Sequence, residues 1–162
     1  MREPLILAKN ADTSTRFAYS MRAKIKRRTP LNILLVEDDL SDVSLTENAL
    51  DETYITYALH TVHSGAEALQ YLRREDRFTS EPTPDLILLD LSLPHKDGLE
   101  VLAELTQETG FSHIPIIILT GSRDYHHILH SCSLWLSDYM DKPCSSDKLL
   151  TAFGKLHSPR PA

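Results

Sequence analysis

Cysteine is scarce in this chain: Cys132 and Cys144 are the only two among 162 residues. Two cysteines cannot form a disulfide framework, and this pair lacks the short spacing of a zinc knuckle. Both are expected to be reduced thiols in a cytoplasmic protein. Long apolar runs are missing as well. The longest, Leu86 to Leu89 and Ile114 to Leu119, fall far short of the roughly 20 residues that span a bilayer, so no membrane segment is expected. Near the N-terminus, Leu5-Ile6-Leu7-Ala8 is too short for a signal-peptide core and no small-residue cleavage site follows it, which argues against secretion. Internal repeats and low-complexity segments are absent too. What remains is a chain with 41% hydrophobic residues, enough for one buried core.

Charge divides the chain in two. Met1 to Pro30 carries eight Lys/Arg against two acids, whereas Leu31 to Ala162 carries nine against twenty-one. An acidic body argues against a nucleic-acid surface spread over the domain, because phosphate backbones are bound by clustered Lys and Arg. Lys24-Ile25-Lys26-Arg27-Arg28 is the only segment suited to nucleic acid or an acidic partner, and a solvated disordered arm is the simpler reading. Residues 1–30 are therefore expected to be a basic extension. Their Arg and Ser/Thr content has some transit-peptide character, but a flexible leader, or a true start at Met21, accounts for it better.

From Leu31 onward, short apolar runs alternate with helical patterns, the signature of a parallel sheet wrapped by helices. Asn32 to Val36 predicts the first strand, with a helix through about Asp51. Tyr54 to His60 predicts the second, followed by Ser64-Gly65-Ala66-Glu67, a capping box that starts the next helix. Arg73 to Pro84, polar and broken by Pro82 and Pro84, reads as a surface loop. Leu86 to Leu89 and Ile116 to Leu119 are apolar without alternation, as expected of strands covered on both faces. Val101, Leu102 and Leu105 share one face of a third helix. Tyr125, Ile128, Leu129 and Cys132 line a fourth. Ser137 to Asp141 predicts the last strand, and Leu149, Phe153 and Leu156 the closing helix. One α/β domain accounts for residues 31–157, with 158–162 as a tail.

In open parallel sheets ligands bind beyond the carboxyl ends of the strands. The residues there are Glu37, Asp38, Asp90, Thr120 and Lys142. Carboxylates gathered within about 4 Å repel by about 4 kcal/mol per pair at an effective dielectric of 20, so a positive partner must join them. Hard oxygen ligands suit Mg²⁺, which keeps exchangeable waters that phosphate oxygens can replace. Lys142 adds a movable positive charge, Thr120 a hydroxyl donor, and Gly121 leaves room beside it. Taken singly, such residues commonly cap helices or face solvent. Together, at successive strand ends, they suit a phosphorylated carboxylate.

Leu34-Leu35-Val36-Glu37-Asp38, Asp85 to Pro94, Asp97-Gly98, Ile118-Leu119-Thr120 and Asp141-Lys142-Pro143 resemble the response-regulator receiver family of two-component signalling. The resemblance covers roughly residues 31–157. It implies a flavodoxin-like (βα)5 sheet with strand order 2-1-3-4-5. It also implies that Asp90 is the phosphoacceptor, that Glu37 and Asp38 form the acidic pair, and that Asp39 lies outside it. Mg²⁺ would contact Asp38, Asp90 and the backbone carbonyl of Ser92. Lys142 would bind the phosphoryl group, its bond to Pro143 would be cis, and Thr120 and Tyr139 would form a switch pair. Within the family, the Glu-Asp-Asp start, the long loop before the third strand and Leu91 to Gly98 resemble small regulators partnered with bacterial phytochrome kinases. Leu134 to Ser137 depart from the pattern, which usually has a small residue there.

The implied function is that of a stand-alone regulator, not an enzyme, which takes a phosphoryl group from a sensor histidine kinase and signals through a downstream protein. Trp135, at a predicted surface turn, suits an interface, and folding back on the local core is the competing reading. A homodimer through the fourth helix, fifth strand and closing helix is a further expectation. His126, His127 and His130 lie opposite the apolar stripe of the fourth helix; a solvated face explains them better than zinc. A flavin or nucleotide module on the same fold is disfavoured, because Glu37-Asp38-Asp39 stands where such proteins need backbone donors or a glycine-rich loop. The remaining alternative is a degenerate receiver acting as a binding scaffold, against which stands the full set of site residues.

Overall fold

The structure, a computed structural model, describes residues 30–94, 98–121 and 138–156. Within them the elements run β1 (Leu31–Val36), α1 (Leu40–Asp51), β2 (Tyr57–Val62), α2 (Gly65–Arg73), β3 (Leu86–Asp90), α3 (Gly98–Gln107), β4 (Ile116–Thr120), β5 (Asp138–Asp141) and α4 (Ser146–Leu156). All pairings are parallel and the strand order is β2-β1-β3-β4-β5, as the resemblance implies. The expected helix at Tyr125 to Cys132, Trp135, the three neighbouring histidines, Asp97 and the basic leader lie outside the described residues.

Period-two alternation assigns the strand side chains to two cores. Leu34, Val36, Ile87, Leu89, Ile116 and Ile118 pack on one face with α2 and α3. Ile33, Leu35, Leu86, Leu88, Ile117 and Leu119 pack on the other with α1 and α4. Both faces of β3 and β4 are dry, and this explains their unbroken apolar sequences. Since a one-residue slip would exchange the two cores, the register of these strands is firmly held.

The helix starts follow local chemistry. Asp39 caps α1, its carboxylate accepting from the N–H groups of Ser41 (2.7 Å) and Asp42 (3.3 Å). Ser64 caps α2 by accepting from Glu67 N–H, but Glu67 reaches back to the N–H of His63, one residue earlier than a simple capping box requires.

Two expectations need correction. The second strand begins at Tyr57, not Tyr54. Thr53 donates its hydroxyl to the carbonyl of Leu50 at 2.6 Å and Tyr54 adopts a left-handed φ of 57°, so the chain is still leaving α1 where β propensity alone suggested a strand. The segment Arg73 to Pro84 is not simply a surface loop. It contains a 3-10 turn at Asp76–Phe78 whose Phe78 is buried against Tyr71, ring centroids 5.4 Å apart. That aromatic contact, with the His60 ring tilted against Tyr71 at 5.7 Å between centroids, ties the segment to β2 and α2.

Gly98 is required by packing. A Cβ there would lie 2.4 Å from the carbonyl oxygen of Asp90 and 2.6 Å from the Cα of Leu91, both backbone atoms. The start of α3 is thereby pressed against the end of β3. Gly98→Ala is expected to destabilise the fold by about 1–3 kcal/mol, the usual cost of overpacking, and urea unfolding measures it.

Candidate functional site

The strand ends converge at the boundary between β1 and β3, where the strand order reverses direction, the place at which open α/β sheets bind ligands. Asp90 is the last residue of β3 and is 2% exposed. Its Oδ1 accepts from Ser92 N–H at 3.0 Å and its Oδ2 from the Lys142 ammonium at 2.9 Å. Glu37, directly after β1, is fully buried. Its Oε1 accepts from Asp39 N–H at 3.1 Å and its Oε2 from Lys142 at 2.5 Å. The Glu37 backbone is pinned from β2, its N–H donating to the carbonyl of Val62 and its own carbonyl accepting from His63 Nδ1 at 2.9 Å.

Ligand oxygens of Glu37, Asp38 and Asp90 lie within 4.8 Å of one another. At that separation and an effective dielectric of 20, each charged pair repels by about 3.5 kcal/mol. Burial, opposed by the Lys142 hydrogen bond and reinforced by Asp90, pushes the Glu37 carboxyl above the usual glutamate range. Burial also works against the Lys142 ammonium, but hydrogen bonds to Asp42, Glu37 and Asp90 outweigh it and hold its pKa well above the ordinary lysine value. The acceptors are all oxygen, two from buried residues and one, Asp38, from an exposed one. This donor set fits a small hard divalent cation that keeps waters on its open side.

Sequence reasoning missed one residue here. Asp42 accepts from Lys142 Nζ at 2.8 Å, although it belongs to the first turn of α1 and not to a strand end. Its place in the first turn of the helix that follows the acidic triplet was the available signal. Lys142 is accordingly fixed by three carboxylates, and less free than the movable charge expected. Asp39 stands outside the acidic cluster, as implied, and serves as a helix cap. The Lys142-Pro143 bond is cis. Thr120 is buried at the end of β4, its carbonyl accepting from the N–H of Lys142 at 2.9 Å. Beside it, a Cβ built at Gly121 meets nothing within 4 Å, so space is open there. Tyr139 lies on β5 opposite Ile118 and packs partly buried against the α2/α3 core.

Residues 33–154 match the family described as the response regulator receiver domain. The chain belongs to the response regulator receiver family. Rcp1 of Synechocystis, a response regulator, is 38% identical over 113 residues, spanning 70% of this chain and 77% of its own. The bacteriophytochrome response regulator RtBRR superposes with a TM-score of 0.74 at 36% identity, covering 83% of this chain and 82% of its own. The phosphorylated cyanobacterial phytochrome response regulator RcpA gives 0.66 at 38% identity, covering 77% and 89%. Rcp1 has also been solved in a Mn²⁺-bound form, with a TM-score of 0.65 at 35% identity and coverage of 76% and 89%. Receiver domains are regulatory modules that bind a divalent metal. No described helix of this receiver is long and apolar enough to cross a membrane.

Lys142→Ala strips the ammonium from this receiver's carboxylates and is expected to cost about 3 kcal/mol at pH 8, since it leaves buried charge unpaired. The loss shrinks toward pH 5. Glu37 has a raised pKa, so the folded state takes up its proton more readily than the unfolded chain, and stability falls as pH rises above the ordinary glutamate range. Urea unfolding of both proteins at the two pH values checks this, equal losses contradicting it.

Proposed function

We propose that this receiver is a stand-alone cytoplasmic response regulator that accepts a phosphoryl group on Asp90 from a sensor histidine kinase of the phytochrome type. The observation that carries the reading is the Asp90 carboxylate itself. It is buried at a strand end, within reach of the Glu37 and Asp38 oxygens and 2.9 Å from the Lys142 ammonium. The relatives named above, several of them phytochrome regulators, support the choice of kinase.

An Asp90 oxygen attacks phosphorus while the bond from phosphorus to the donor's imidazole nitrogen breaks, its electron pair leaving with the imidazole. Ser92 N–H and Lys142 hold the carboxylate in place before attack. Glu37, Asp38, Asp90 and the carbonyl of Ser92 would hold Mg²⁺, which when bound neutralises charge on the transferring group. Lys142 then donates to a phosphoryl oxygen, as does the Thr120 hydroxyl. The same groups assist the later hydrolysis.

Phosphorylation adds up to two negative charges and new acceptor oxygens at Asp90. Thr120 is drawn toward them and Tyr139 turns inward into the vacated space, which alters the face formed by β5 and α4. That face meets a downstream protein or a second copy of the chain. The functional unit is the receiver at residues 31–157, with residues 1–30 as a basic arm and 158–162 as a tail.

Phosphorylation by acetyl phosphate or a phytochrome kinase with Mg²⁺ present is expected in the unaltered protein and absent from Asp90→Ala. Undiminished labelling of the variant would place the acceptor elsewhere, and no labelling of the unaltered protein would favour a phosphorylation-independent scaffold. Mg²⁺ at 100 times its dissociation constant is expected to add about 2.7 kcal/mol of stability. Asp38→Asn should largely abolish that gain in a thermal melt. Sedimentation with and without beryllofluoride tests the homodimer, a monomer in both states arguing against it.

A further inference from the structure

We infer that Asp42 is a positioning residue for the phosphoryl-binding lysine, one that keeps an N–H of the Lys142 ammonium aimed at Asp90 once the Asp90 oxygen is taken by phosphorus. The inference rests on the phosphoacceptor reading of Asp90. It starts from a count of donors. An ammonium has three N–H groups. In this structure all three have carboxylate acceptors: Glu37 Oε2 at 2.5 Å, Asp42 Oδ2 at 2.8 Å and Asp90 Oδ2 at 2.9 Å.

The three acceptors differ in what they do next. Asp90 is the group that reacts. Glu37 is fully buried and also belongs to the cluster of close carboxylate oxygens with Asp38 and Asp90. Asp42 is not part of that cluster, and its side chain is one-third exposed. At the site its carboxylate accepts from Lys142. Phosphorylation of Asp90 leaves the ammonium with two anchors, Glu37 and Asp42, which together fix the direction of the third N–H. With Glu37 alone, the ammonium rotates about a single bond at the end of a four-carbon stem, and ordering it on the phosphoryl oxygen costs side-chain entropy.

Asp42 is itself held where this role requires. Its N–H is bonded to the Asp39 carboxylate at 3.3 Å, which seats it in the first turn of α1, and α1 packs through Ala49 and Leu50 against the same core as α4. The anchor is therefore attached to the framework, not to a loop. Its acceptor oxygen matters more than its charge, since a negative charge beside an incoming phosphoryl group works against binding.

Beryllofluoride with Mg²⁺, followed by 19F NMR, tests the inference by giving both affinity and the resonance of the fluorine bonded to the ammonium. Asp42→Ala is expected to weaken binding about tenfold, the worth of one hydrogen bond to a charged group, and to shift one fluorine resonance. Asp42→Asn, which retains an acceptor oxygen without charge, is expected to restore binding to within about threefold of the unaltered protein and to restore the resonance. Asp42→Ser, too short to reach Lys142 but favourable in a first helical turn, should behave as the alanine variant does and covers the case in which alanine disturbs the helix start. Alanine and serine variants that bind as tightly as the unaltered protein, or more tightly, overturn the inference, as does an asparagine variant as weak as alanine. Failure of the unaltered protein to bind beryllofluoride at all would instead overturn the phosphoacceptor reading.

Discussion

The site depends on one ammonium holding apart, and together, carboxylates that repel one another. Lys142 bonds to Glu37 beyond β1, Asp42 in α1 and Asp90 at the end of β3, and so joins three elements through a residue carried by the chain leaving β5. With Asp38 counted, four carboxylates face one positive charge. Such a place repels any phosphoryl donor approaching without a cation, and attracts the cation for the same reason. Affinity for a divalent cation thus follows from the balance of charge. Burial, with Asp90 adding to it, pushes the Glu37 carboxyl toward its neutral form, and the Lys142 hydrogen bond opposes that.

Positions at this edge are fixed from behind. β3 is buried on both faces between β1 and β4, so Asp90 extends from a strand that cannot slip without exchanging two cores. Gly98 brings the start of α3 against the Asp90 carbonyl, and Ser92 N–H returns to the Asp90 carboxylate. Asp38 is different. It is the exposed member of the acidic group, which leaves that side of the cluster open to solvent.

The strands and their end residues were legible because the signals are local and redundant. Leu86 to Leu89 and Ile116 to Leu119 have no polar alternation, which leaves few alternatives to central parallel strands, and such strands put Asp90 and Thr120 at one edge. The start of β2 was not legible. Tyr54, Ile55 and Thr56 have strong β propensity, but a hydroxyl bond from Thr53 and the left-handed Tyr54 delay the strand until Tyr57 can pair with Leu31. Phe78 looked like part of a polar loop because its partners, Tyr71 and the α2/α3 core, are distant in sequence or visible only in three dimensions. Asp42 escaped for a related reason. A search restricted to residues that follow strands does not reach a helix whose first turn bends over the same edge.

The hydrogen bonding around Lys142 also bears on how a local charge reaches the surface. Its side chain ends on Asp90, while its backbone N–H is bonded to the carbonyl of Thr120, so the β4–β5 ladder continues through the lysine itself. Three residues upstream, Tyr139 pairs with Ile118 in that ladder and packs its ring partly buried against the α2/α3 core. The ammonium that reaches Asp90 thus belongs to a residue whose own backbone is bonded to β4. Both cores flanking β4 are buried under helices, so β4 itself is firmly held. β5 stands at one edge of the sheet and carries a tyrosine that is only partly buried. The lysine that balances the acids is thus also the residue that ties the site to the β4–β5 ladder.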